Sequence, residues 1–93
     1  NDGKDDNLLI KYKPEKPGSI MTILIYDIKG KLIRQLASNV LLASENTFTW
    51  DGLTDNHQKA AAGIYIVYAF VYTASGETRH FKKATILSSP LKR

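Results

Sequence analysis

Apolar and polar residues alternate at a spacing of two through much of this chain, a period that belongs to strands rather than helices. The clearest run is SIMTILIYD, Ser19 to Asp27, rich in β-branched and aromatic residues. Met21, Ile23 and Ile25 share one of its faces, and Ile20, Thr22, Leu24 and Tyr26 the other. A second long run, Gly63 to Thr73, sets Ile64, Ile66, Tyr68, Phe70 and Tyr72 on one side and Tyr65, Val67, Ala69 and Val71 on the other. Further strands are expected at Leu8 to Tyr12, Thr47 to Trp50 and Thr78 to Leu87. Lys31 to Ala37 reads as a return strand, although Leu32, Ile33 and Leu36 also fit a helical turn. The stretch SNVLLASENT, from Ser38 to Thr47, suits either a loop with a short strand or a turn of helix.

Turn residues separate these runs. KPEKPGS follows the first strand, and its two prolines and glycine cannot sit in a central strand. As a polyproline ligand the same stretch is a poor match, so it is read as a strand connection. DIKGK predicts a short hairpin in which Gly30 takes the positive φ of a bulged type I loop. TASGE repeats that design with Gly76, and no other internal repeat is present. The pattern predicts an all-β fold, an antiparallel sandwich of the immunoglobulin or fibronectin-III type with about seven strands. The sandwich is expected over residues 8–88, after a polar linker or disordered terminus at 1–7 and before a tail at 89–93.

Composition narrows the function classes. Ninety-three residues make one domain with a single, modest core. There is no cysteine, which removes disulfides, thiol chemistry and cysteine-ligated zinc. No apolar run is long enough to span a membrane as a helix. The opening NDGKDDN lacks an initiator methionine and a signal peptide, so the chain is expected to be a piece of a longer protein, with any targeting segment upstream. The net charge of +4 is spread out, with small clusters at Arg79–His80–Lys82–Lys83 and Lys92–Arg93. No nucleic-acid-binding motif accompanies them, so they are read as a solvated face that resists edge pairing.

The most chemical-looking stretch is TWDGLTDNHQKAAAGIY, Thr49 to Tyr65. Asp51, Asp55 and Asn56 offer oxygen ligands for calcium. Counted as a helix–loop–helix calcium loop, however, it has Leu53 at the third position, Asn56 at the sixth and Ala62 at the twelfth, where a ligand, a glycine and a glutamate belong. A turn held by side-chain-to-backbone hydrogen bonds accounts for the same residues. His57 lies in the loop and His80 in the last strand, neither beside a serine in a nucleophile motif. Asp51 and Asp55 share one turn instead of facing each other across a cleft, and every glycine is isolated, so glycoside hydrolysis and phosphate cradling have no basis. No catalytic residue and no cofactor-binding motif is identified. Tyr26, Trp50, Tyr65, Tyr68, Phe70, Tyr72 and Phe81 would serve as a stacking platform only if they faced solvent together; core and cross-strand packing is the plainer expectation, with Trp50 plugging one end of the sandwich.

ILIYDIKGKLIRQL followed by FTWDGLTDNHQKAAAGIYIVYAFV resembles the immunoglobulin-like domain of the flagellar hook-capping protein and its relatives. The matching elements are Tyr26–Asp27, Gly30, the return strand Leu32 to Leu36, Trp50–Asp51–Gly52, Asp55–Asn56 and Gly63–Ile64–Tyr65, within a resemblance spanning about residues 19 to 87. His57 stands where that family usually has glycine, and Ala60 to Ala62 where it has a proline. A similarity to C-terminal sorting domains of type IX secretion rests on GIYIV and on FKKATIL, with Lys82 and Lys83 as the surface such a signal would present.

The resemblance implies a non-catalytic accessory module of a larger exported, surface or periplasmic bacterial protein. Its expected partners are an upstream domain of the same polypeptide, and secretion machinery or another surface protein. A sorting signal and a carbohydrate-binding module are the alternatives.

Overall fold

A computed structural model describes residues 8–87. Among them are six antiparallel strands and no helix: β1 Leu8–Tyr12, β2 Ile20–Asp27, β3 Leu32–Leu41, β4 Asn46–Trp50, β5 Gly63–Tyr72 and β6 Thr78–Leu87. The expected linker at 1–7, the tail at 89–93 and the Lys92–Arg93 cluster lie outside the described residues.

The strands form two sheets, β1-β4 and β3-β2-β5-β6. The inner row of β2 (Met21, Ile23, Ile25) and that of β5 (Tyr65, Val67, Ala69, Val71) are all buried, as the alternation predicts. Leu8, Ile10 and Tyr12 of β1 and Phe48 of β4 pack on them from the opposite sheet, and Trp50, Ala37, Leu42 and Leu87 complete the core. The fold is therefore the expected all-β sandwich, with six strands among the described residues.

Both hairpins follow the design read from their turn residues. The amide of Asp27 donates to the Lys31 carbonyl at 2.9 Å and that of Gly30 to the Asp27 carbonyl at 3.0 Å, with Gly30 at φ 90°. Thr73, Glu77 and Gly76 repeat the arrangement at 2.8 and 3.0 Å, with Gly76 at φ 93°. In the first turn, Asp27 Oδ1 also accepts from the amides of Lys29 and Lys31, both at 2.9 Å.

The undecided stretch from Lys31 to Thr47 is mainly strand: β3 runs on to Leu41. Its helix-like spacing has a physical origin in the pairing with β2, whose register slips between Met21 and Ile23, between Ile23 and Leu24, and between Ile25 and Tyr26. Each slip changes which side of the sheet the following residues occupy, so Leu32, Ile33 and Leu36 do not alternate cleanly. At one slip Asn39 adopts φ 53°, and its amide donates to Thr22 Oγ1 across the pair at 3.0 Å.

Candidate functional site

The Thr49–Tyr65 segment forms the corner between β4 and β5, and its polar groups are turned onto backbone. Trp50 is 1% exposed, and its Nε1 donates to the Leu53 carbonyl at 2.9 Å. Asp51 Oδ1 accepts from the Leu53 amide at 3.1 Å, the local bond expected of an aspartate in a turn. Gly52 follows at φ 82°, where a β-carbon would stand 3.4 Å from Leu87 Cδ1, and its carbonyl receives the Ala60 amide at 2.9 Å. Leu53 to Lys59 then doubles back on itself, closed by Thr54 N to the Gln58 carbonyl at 2.7 Å and a bridge between Leu53 and Lys59.

Asp55 does something the sequence did not announce. Its amide donates to the Ile33 carbonyl at 3.0 Å, while its Oδ1 accepts from the Gln35 amide at 3.0 Å. The loop thereby pairs along the outer edge of β3, and Asp55 bonds a distant strand instead of its own turn. Arg34 adds to the same seam, its guanidinium donating to the carbonyls of Leu53 and Thr54 at 3.4 and 3.3 Å and lying 4.0 Å from Asp51 Oδ1. A basic residue in the return strand beside a loop of carbonyls was the only available signal. Asn56 is exposed, and its amide donates to Thr54 Oγ1 at 3.2 Å. His57 is exposed too and adopts φ 65°.

At the far end of the corner, Gly63 opens β5 and Tyr65 is buried, its ring edge-on to Trp50 with centroids 5.3 Å apart. The Tyr65 hydroxyl donates to the Ala61 carbonyl, tying the strand to the residues that lead into it. A tyrosine at a strand start reaching back to the preceding corner is a recurring device of immunoglobulin-like sandwiches. Burial raises the Tyr65 pKa above its ordinary value of 10.0, and the nearby Asp27 carboxylate raises it further.

Asp51 and Asp55 each spend an oxygen on a backbone amide, and Asn56 lies beyond them in the turn. Among the described residues, no three His, Asp or Glu side chains gather as a metal site.

The aromatic residues divide among three places. Trp50 and Tyr65 are core. Tyr68 and Phe70 are half-buried on the outer face of the larger sheet, 4.8 Å apart, with Phe70 edge-on to its cross-strand neighbour His80 at 5.0 Å. Tyr26 is half-buried and Tyr72 exposed on that same face. Phe81 lies on the opposite side, against Tyr12 at 5.6 Å. Lys82 and Lys83 are exposed on β6, which pairs only with β5 among the described strands.

The two sheets, the short hairpins and the tyrosine-tied corner define an immunoglobulin-like β-sandwich. The chain belongs to the FlgD Ig-like domain family, whose model matches residues 1–76. That match starts earlier than the resemblance read from the motifs and stops short of β6. No curated protein matches the chain. Among solved structures, FlgD from Xanthomonas campestris, described in terms of the hook capping essential for flagellar assembly, is 23% identical; the match covers 87% of this chain and 68% of that one, with a TM-score of 0.49.

Proposed function

We propose that this domain is a non-catalytic structural and protein-interaction module of an exported or cell-surface bacterial protein. In this role it packs on, spaces or presents neighbouring protein, including an upstream domain of its own polypeptide. Membership of the FlgD Ig-like family supports a role in assembly of the kind associated with flagellar hook capping. The observation that carries the reading is the fate of the corner: Trp50 Nε1, Asp51, Asp55 and the Tyr65 hydroxyl all bond backbone groups. Side chains engaged in holding a loop are not free to act as general acid or base.

The test is a hydrolase and glycosidase substrate panel on the purified domain and its Asp51→Asn variant, alongside urea unfolding of both. The expected result is no turnover by either protein and a small loss of stability in the variant. Turnover that Asp51→Asn abolishes would overturn the proposal.

A type IX sorting signal is the second reading, supported by the exposed Lys82 and Lys83 on the last strand. Deleting Phe81 to Arg93 from the parent protein would then leave it in the periplasm; normal export of the truncated protein would eliminate that reading.

A further inference from the structure

The two sheets do not cover each other completely. By register, Phe81, Lys83, Thr85 and Leu87 of β6 lie opposite Ala69, Val67, Tyr65 and Gly63 of β5, and cross-strand partners share a face. Those β6 positions therefore point to the core side, where the alternation would bury them. Of the four, only Leu87 is buried; Phe81 remains 43% exposed. The uncovered side chains border a groove of about 520 Å³ between β1 and β6. Its floor is Met21, Val67 and Ala69. The second edge of β1 and the outer edge of β6 carry no strand among the described residues.

An apolar channel running between two strand edges that are unpaired among the described residues has the shape left by one missing strand. We propose that this groove receives an extended segment of a partner protein, paired along β1, with apolar side chains at alternate positions and carboxylates between them. Alternation follows from the geometry of an added strand, which turns every second side chain onto Val67, Ala69 and Phe81. The carboxylates follow from the rim, where Lys11, Lys82 and Lys83 line the groove and, among the described residues, no aspartate or glutamate does. β1 is five residues long, so about five or six partner residues pair with it. The chain's own residues outside the described range lack the needed composition. Residues 1–7, NDGKDDN, contain no apolar side chain, and residues 88–93, SSPLKR, contain one leucine beside a proline and two cations. This inference rests on the interaction-module reading and names the partner's chemistry.

A random nonapeptide library displayed on phage, selected on the 93-residue protein and counter-selected on a Phe81→Glu, Lys83→Glu double variant, tests it. Both substituted side chains are exposed, and Trp50 fluorescence checks that the variant is folded. Enrichment of peptides alternating apolar with acidic residues is expected, binding the variant about tenfold or more weakly. Amide shifts in the labelled protein should concentrate on β1 and β6. No enrichment, or equal binding to the variant, overturns the proposal. Shifts confined to the outer face around Tyr68 and Tyr72 also overturn it, while leaving the interaction reading in place. Concentration-dependent self-association that the double variant abolishes would instead make a second copy the occupant, and so overturn the partner assignment.

Discussion

Trp50 and Tyr65 meet edge to face at 5.3 Å, and each also bonds a loop carbonyl, Leu53 for the indole and Ala61 for the phenol. One aromatic pair thus anchors both ends of the corner joining β4 to β5. The ring contact fills the core, while the two polar tips fix where the backbone enters and leaves it.

Separating those contributions gives the first prediction. Tyr65→Phe keeps the ring and removes one hydrogen bond, so it should lower unfolding free energy by about 1 kcal/mol. Trp50→Ala leaves a cavity and removes the indole's bond to the Leu53 carbonyl, which keeps only the Arg34 guanidinium at 3.4 Å, and should cost about 3–5 kcal/mol. Urea unfolding measures both. Equal losses would show that the ring contact contributes little beyond the hydrogen bonds.

Asp55 and Asn56 are adjacent but unequal. Asp55 holds the Gln35 amide of β3, whereas the Asn56 side chain is exposed. Asp55→Ala should destabilise by about 1 kcal/mol, while Asn56→Ala should fall within about 0.5 kcal/mol of the parent. Amide exchange at Gln35 should quicken in the first variant alone. A comparable loss from both would mean that the turn itself, and not its seam with β3, sets the stability here.

These particulars show what the sequence could and could not convey. The inner rows of β2 and β5 were legible because alternation reports which face is buried. Gly30 and Gly76 were legible because a bulged turn requires positive φ. The length of β3 was not, since its register slips erase the period that identifies a strand. By sequence Asp55 is a turn residue, because local patterns reveal local bonds, and its partner lies 20 positions away. The groove was hidden for a different reason: Phe81 and Lys83 sit at core-side positions, but only the extent of the opposite sheet decides whether anything covers them.

His57 carries a conformational cost that a single change would relieve. At φ 65° it occupies the left-handed region, which costs a residue with a β-carbon about 1–2 kcal/mol. Glycine removes that cost but loses about 0.5–1 kcal/mol of extra chain entropy on folding. His57→Gly should therefore stabilise the domain, by about 0.5–1 kcal/mol. His57→Ala should not, since alanine keeps the β-carbon. Thermal unfolding of the three proteins decides it, and destabilisation by glycine would show that the imidazole has a role of its own.

The buried phenol makes stability fall in alkali within a defined window. Its pKa in the folded protein is raised above 10.0, first by burial and then by the carboxylate of Asp27, its register partner on β2. Folding therefore favours the neutral, protonated phenol. The contribution is complete below the unfolded-state value of about 10 and is lost as pH rises from there through the folded-state value. The quantity that isolates this phenol is the difference in unfolding free energy between the parent and Tyr65→Phe. That difference should be constant up to about pH 9 and shrink above about pH 10. In Asp27→Asn the decline should begin at the same pH but finish lower, because one of the two causes of the raised pKa is gone. A difference that stays flat across the whole range would show that Tyr65 ionises equally well in the folded and unfolded chain.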